Sequence, residues 1–404
     1  MHLLRNRSLI ILSLGHMFLD LFSSVVPVLL AFFSSPMGLS NAQLATAASL
    51  YNFVSSLLQP AFGWLTDRVG SRWLGTLSLL WTMLFISGVA VIGQRGDYGL
   101  LLAALSMAAL GSAAFHPQGA MNATQVEERW RTTSASIFFF FGNLGLMSGP
   151  LMAGFILKSL GPDKFPFLIL AGIPVVLLTA TSVPMAEQGS SSRSTARSAT
   201  SPNHVPLSAG VLIPLVGLIA LRSWANFGTT TFLPKFYQEL GWDPARYGTV
   251  ASLWMLGTAV GNVIGGPLAD RYGRRLLVSW SLIMMAPVML VLPMVRHDYP
   301  YPLIVLGGLT SGLSFSVIMV LAQSLLPGGR GLASGFTMGF MFASGAVGNV
   351  INGWLADWLG LSISLQSIAL VALGAATCAR FLPRTRSAEP APETYTGQSG
   401  QSPR

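Results

Sequence analysis

The chain has 404 residues, of which 52% are hydrophobic and only 9% charged, with a formal net charge of +9 and a mean hydropathy of +0.60. Soluble domains carry roughly 25% charged residues, so this composition cannot cover a water-facing surface and excludes two or three soluble domains. The basic residues sit in short stretches and form no single patch, which argues against nucleic acid as a partner, and the lone cysteine, Cys378, permits neither an internal disulfide nor a thiolate metal site.

A membrane-crossing helix needs about 20 mostly apolar residues. The first apolar run, 8–33, is longer than the roughly 7–15 residues of a signal-peptide core and carries His16 and Asp20, so it reads as a retained first span. Eleven further spans follow at 43–64, 73–93, 99–122, 133–158, 166–185, 210–234, 247–269, 274–295, 302–326, 332–356 and 363–382. Residues 186–209, including QGSSSRSTARSATSPN, are rich in Ser, Thr and Arg, as expected of a flexible linker, and the tail 384–404 has the same character. The expected fold is therefore an all-α integral membrane protein. Its twelve transmembrane helices form two six-helix bundles, 1–185 and 210–383. With the N-terminus inside, only Arg95, Lys158, Lys164, Lys235, Arg246 and Arg296 of the 23 basic residues fall outside, and Arg222 lies within a span. That bias predicts both termini on the cytoplasmic side of a cell (inner) membrane.

The two bundles carry the same stretch. Residues 63–73 read GWLTDRVGSRW and residues 266–276 read GPLADRYGRRL, 203 positions apart, so Gly63, Asp67, Arg68, Gly70 and Arg72 align with Gly266, Asp270, Arg271, Gly273 and Arg275. A repeat of half the chain predicts a duplicated, pseudo-symmetric domain. The glycines suit a tight turn. Each aspartate suits the N-terminus of a facing helix, where the dipole favours negative charge. Asp67 against Gly331–Ser334, and Asp270 against Thr132–Ala135, would latch the cytoplasmic side shut. The arginines suit acids such as Glu127 and Glu128, lipid phosphate, or topology alone.

Charges inside spans need a reason, because an acid at helix centre costs about 2.5–3.5 kcal/mol on an insertion scale. Asp20 is the one carboxylate deep in a span; His16 lies one turn before it on the same face, with Ser13 and Ser24 beside them. Arg222 is the one embedded cation, and subtracting the 203-residue repeat puts it beside Asp20, with Asn226 one turn and Thr229 two turns beyond. Burial favours a neutral acid and a nearby cation favours its carboxylate, so Asp20 is the candidate proton carrier, with His16 and His116 as relays. Arg222 is the candidate anchor for an anionic substrate, since its guanidinium stays charged and forks around oxygens. Asn226, Trp224, Ser112 and Gln323 complete the candidate substrate set. The alternatives are an Asp20–Arg222 ion pair that only joins the bundles, and satisfied packing histidines. No metal and no cofactor are expected, and no ligand spacing supports a His/His/Asp metal centre. No Gly-rich phosphate loop ends in Lys-Ser/Thr, which argues against an ATP-driven pump.

The repeated stretch resembles the G-x-L-x-D-R-x-G-R/K-R loop of the major facilitator superfamily; the first copy departs from it at Ser71 and the second is complete. In the fifth span, GNLGLMSGPLMAGF, with Gly145, Gly149 and Pro150, resembles the Gly-Pro motif of proton-coupled antiporters of that superfamily; an ordinary Gly-rich packing face is the alternative. Ser13–Asp20, SSLLQPAFGWLTD, GSAAFHPQG, GNVIGGPLADRYGRR and LAQSLLPGGRGLASG are similar to the fosmidomycin-resistance family, although Leu19-Asp20 stands where an Asn-Asp pair would be expected. The resemblance implies alternating access and proton-driven export of small drugs. The alternative is uptake of an organic anion or phosphonate by proton symport. No nucleophile accompanies the histidines, which argues against an enzyme. The expected partners are a small-molecule substrate, protons and membrane lipids, and a monomer is expected.

Overall fold

A computed structural model of the chain describes residues 2–69, 71–126, 130–182, 208–295, 300–326 and 330–383. These residues fold into helices throughout, arranged as twelve spans. Span 1 is Arg7–Ser24 continued by Val26–Ser34, span 2 Asn41–Val69, span 3 Ser71–Arg95, span 4 Tyr98–Gln125 and span 5 Arg131–Ser159. Span 6 is a 3-10 turn, Pro162–Phe167, leading into Leu168–Ser182. Span 7 is Ala209–Glu239, span 8 Pro244–Tyr272 and span 9 Arg274–Val291. Span 10 is Tyr301–Leu313 continued by Phe315–Leu325, span 11 Arg330–Leu359 and span 12 Leu361–Arg380. Ten of the twelve are long and apolar enough to cross a membrane by length and composition. The expected linker and tail fall largely on 183–207 and 384–404, outside the described residues.

Local chemistry sets several helix starts. Asn6, Asp97 and Asp243 each accept a backbone N–H three residues on, from Leu9, Leu100 and Arg246, and so satisfy one orphan donor of spans 1, 4 and 8. Spans 2 and 8 run further than apolar composition suggests. Span 8 carries Asp270 and Arg271 in its last turn, and the chain reverses at a single residue, Gly273, whose φ of +95° only glycine adopts without strain. The second copy of the repeated stretch is thus two helix ends with a one-residue corner between them, where a polar loop was expected.

Packing follows the repeat. Span 1 lies against span 5 and span 2 against span 4; in the second bundle, span 7 lies against span 11 and span 8 against span 10. The bundles meet through span 5 on span 8 and span 11 on span 2. These crossings need bare backbone: a Cβ on Gly154 would overlap the Pro244 carbonyl, and one on Gly248 the Pro150 carbonyl. Buried apolar residues form two clusters. The larger includes Leu29, Leu44 and Phe165 of the first bundle together with Phe232, Trp254 and Leu365 of the second, and so joins the bundles at the end away from the repeated stretches. The smaller, around Leu218, Val278, Ile318 and Ala375, belongs to the second bundle alone and lies toward the repeated stretch. The bundles therefore share a core at one end and part toward the other.

Candidate functional site

An (i, i+4) spacing puts His16 and Asp20 on one face of span 1, and His16 Nε2 lies 3.2 Å from Asp20 Oδ2. Span 4 supplies His116, whose Nε2 lies 3.4 Å from Asp20 Oδ1. The other nitrogen of each ring is anchored. His16 Nδ1 donates to the Phe138 carbonyl of span 5 at 3.0 Å. His116 Nδ1 donates to the Ser112 carbonyl one turn back at 2.8 Å. Ser55 of span 2 donates to Ser112 Oγ at 3.2 Å, and the Tyr51 and Ser23 hydroxyls meet at 2.6 Å. The His16 ring stacks on Phe138 with centroids 4.1 Å apart. Room for the cluster comes from Gly142 of span 5: a Cβ there would meet His16 Nδ1 at 2.7 Å and Asp20 Oδ2 at 2.8 Å. Asp20 is buried, and it is the histidines that hold its carboxylate. The three expected proton-handling residues are thus in one place.

The second bundle has a different polar contact between its first and fourth spans. Span 10 is interrupted at Ser314, between Leu313 and Phe315. The guanidinium of Arg222, on span 7, fills this interruption. Its Nη2 donates to the Ser311 carbonyl at 3.2 Å, its Nε donates to Ser314 Oγ at 3.4 Å, and its Cζ lies 5.1 Å from the Phe315 ring centre. The cation thereby satisfies a carbonyl at the negative end of a helix segment. Ser311 Oγ donates to Asn226 Oδ1 at 3.3 Å, which ties that candidate to the same spot. Arg222 is buried and, among the described residues, forms no ion pair with Asp20. The ion pair considered from the sequence is therefore replaced by two separate contacts, because each first span packs its polar face on a partner in its own bundle.

The rest of the expected substrate set divides. Ser112 belongs to the histidine cluster. Trp224 packs on Gly348 and donates its indole N–H to Asn352 of span 11, a contact that seats one helix on another. Gln323 is half-buried on the second segment of span 10, roughly 12 Å beyond Phe315 by helical rise. Gly145 and Gly149 seat span 5 on span 1, where added Cβ atoms would overlap the carbonyls of Met17 and Leu21; Pro150 turns its own carbonyl to Gly248 in the other bundle.

Of the expected cytoplasmic gate, the side chains of Asp67, Arg68 and Arg72, with Gly70, lie outside the described residues, as do those of Thr132 and 331–334. Gly63 approaches Pro117, and Gly266 has open space around it. Asp270 and Arg271 are exposed at the end of span 8, Arg271 over the Tyr272 ring at 5.3 Å, and Arg275 donates to the Leu382 carbonyl at 3.0 Å.

A carboxylate on a facing helix start does occur, at the opposite end of the molecule. Asp357, at the end of span 11, accepts the backbone N–H groups of Asn41 and Ala42, at the start of span 2, at 2.7 and 3.0 Å. Its counterpart across the repeat is the Lys158–Asp243 pair, 3.0 Å, between the end of span 5 and the start of span 8. Gln238 donates to Ser35 Oγ at 3.0 Å beside them. Burial alone would raise the Asp243 carboxyl, but the Lys158 hydrogen bond and two backbone N–H groups outweigh it and hold the carboxyl below its ordinary range. Sequence reasoning missed this latch. Its one signal is an acid at a span end, in WLADWLG.

Among the described residues, His16, Asp20 and His116 are the one group of such side chains with donor atoms close together, within 4.8 Å. Their separations of 3.2 and 3.4 Å are ion-pair contacts in which a small movement would bring a proton between each ring and the carboxyl group.

Comparison with known proteins agrees with this architecture. The family model described as Major Facilitator Superfamily matches residues 12–238 and 215–401. An uncharacterized MFS-type transporter of Bacillus subtilis, YfnC, is 32% identical over 90% of each chain. The fosmidomycin resistance protein of Escherichia coli is 29% identical over 93% of this chain and 92% of its own. Among solved structures, an inward-facing, occupied bacterial homologue of the human lysosomal transporter Spinster superposes with a TM-score of 0.74 at 14% identity, covering 94% of each chain. A D-xylose–proton symporter superposes with a TM-score of 0.72 at 17% identity, covering 94% of this chain and 98% of its own. At such identities these structures speak for the fold alone.

Proposed function

Because the chain belongs to the major facilitator superfamily and is therefore a multi-pass membrane transporter, we propose that it is a proton-driven antiporter of a bacterial inner membrane that exports small molecules by alternating access. The observation that carries this is the buried His16–Asp20–His116 cluster. Intramembrane titratable groups in contact with one another mark proton pathways. Asp20 is the carrier, and the two histidines pass protons to and from it. Arg222 and Asn226, at the break in span 10, form the recognition point for an anionic group. A compound such as fosmidomycin, taken from the name of the Escherichia coli relative, is the first candidate cargo, since a phosphonate suits a guanidinium.

In this reading the repeated stretches face the cytoplasm. The contacts of Asp357 and Asp243 then close the outer side, and the molecule is open inward. Asp67 and Asp270 would form the corresponding latch when the cytoplasmic side closes. The test is transport in proteoliposomes under an imposed pH gradient, with fosmidomycin set against cationic drugs. Solute moving against the proton gradient supports the antiporter. Movement along with protons makes it a symporter, and indifference to the gradient removes the coupling.

A further inference from the structure

We infer that in this geometry the His16–Asp20–His116 cluster holds two exchangeable protons, not one. The inference rests on the proton-coupling reading above and supplies its stoichiometry. A backbone carbonyl can only accept, so the contacts to the Phe138 and Ser112 carbonyls, 3.0 and 2.8 Å, favour a proton on Nδ1 of both rings; the Ser112 hydroxyl, at 3.4 Å, is the longer of the two contacts to His116 Nδ1. A neutral imidazole with its proton on Nδ1 has a bare lone pair on Nε2. Both Nε2 atoms nevertheless face carboxylate oxygens, at 3.2 and 3.4 Å. A lone pair facing a carboxylate oxygen repels it, and each contact becomes a hydrogen bond only with one proton between the two atoms. Two contacts therefore need two protons. They reside either as two imidazoliums around a carboxylate, or as one imidazolium and one neutral ring around a carboxylic acid. Both distributions give the cluster a charge of plus one.

Among the described residues, the surroundings add hydroxyls and rings. Span 2 brings the Tyr51 phenol, already engaged with Ser23. Span 4 brings Ser112 and Phe115, and span 5 brings Phe138, Phe139 and Gly142. Span 6 brings Thr179 toward Gly15. Among the described residues no lysine, arginine or second carboxylate forms an ion pair with the three. Removing both protons leaves a carboxylate facing two lone pairs, so the emptied cluster cannot keep this arrangement, and a ring must turn away or water must enter. The side chain of His116 is 29% exposed and that of His16 3%, so protons exchange through His116.

The test needs no substrate. Full-length protein labelled with 15N-histidine, in lipid nanodiscs at pH 7.5, is read by NMR for the protonation of each ring nitrogen. Free histidine, with a pKa of about 6.5, is largely neutral there. Two of the five rings (His2, His16, His116, His204 and His297) are expected to carry or share a proton on Nε2 as well as Nδ1. His16→Asn and His116→Asn assign them, and Asp20→Asn should return both to the neutral form. If the wild-type spectrum shows only one such ring, or none, the two-proton count is overturned, whatever the variants do. Two such rings in a protein whose transport ignores a pH gradient would uphold the count and remove the coupling role instead.

Discussion

Span 1 and span 7 occupy equivalent places in the two bundles and carry opposite charges one helical position apart, yet their surroundings differ in kind. Asp20 faces two imidazoles, each with a ring nitrogen that can donate or accept a proton. Arg222 faces a carbonyl, a hydroxyl and a phenyl ring, none of which titrates near neutrality. The repeat shows how the divergence arose. Moving 203 positions on, Ser112 becomes Phe315, His116 becomes Met319 and Asp20 becomes Ser223. Gly142 and Gly345 both leave room for the facing helix, but the first makes space for His16 and Asp20 and the second for Phe227. In the proposed function, one scaffold supplies a variable charge in one half and a constant charge in the other. A transporter needs both: something that records which side it last faced, and something that holds cargo in the same way throughout.

The comparison can be broken most sharply at Asp20. Asp20→Asn should lower pH-gradient-driven transport by about 100-fold, the usual scale for losing a proton-transfer group, while the purified protein stays monodisperse. Retained transport would move the variable charge elsewhere. Next come the paired glycines. Gly142→Ala should distort the cluster and change the pH profile of transport. Gly345→Ala, of similar overpacking cost at about 1–3 kcal/mol, should lower thermal stability and leave the profile in place. Matching profiles in the two variants would erase the distinction between the halves.

Arg222→Ala should weaken anionic compounds by roughly ten-fold, the scale of one hydrogen bond to a charged group, and cationic ones less. It should also speed amide exchange at Phe315. An equal loss for both compound classes would make Arg222 a structural plug alone. A smaller effect is expected at the Asp357 latch. Asp357→Asn removes a charged cap worth about 1 kcal/mol and should raise, by a few-fold, the labelling of a single cysteine introduced beside it in a Cys378→Ser background. The smallest is the pH response of Asp243. Its carboxyl is held below the ordinary range, so its contribution is complete above that range and lost as pH falls through the folded value. The pair is exposed and screened, so labelling of the same introduced cysteine should rise only slightly on acidification, and Lys158→Ala should abolish even that.

Much of this was legible in the chain itself, for identifiable reasons. Low charge and long apolar runs can be accommodated only as spans, and the twelve fall where composition put them. His16 and Asp20 share a face because helical spacing requires it. The repeat puts Arg222 on span 7 one position from the equivalent of Asp20, but it does not give the partner, because the rotation of each helix decides what it meets. Nothing in GLTSGLSFS signals that a guanidinium from span 7 will fill a break there. The Asp357 contact was hidden for a different reason: the helix it caps begins 316 residues earlier, and local sequence does not encode so distant an acceptor.

The interruption in span 10 has one more consequence. Its two segments are held in line partly by a side chain borrowed from a neighbouring helix. An anion that draws the guanidinium of Arg222 toward itself removes one of the two side-chain donors to the Ser311 carbonyl, leaving the Ser314 hydroxyl. If Arg222 is the anion's anchor, as proposed, capturing cargo and releasing this contact would be a single event.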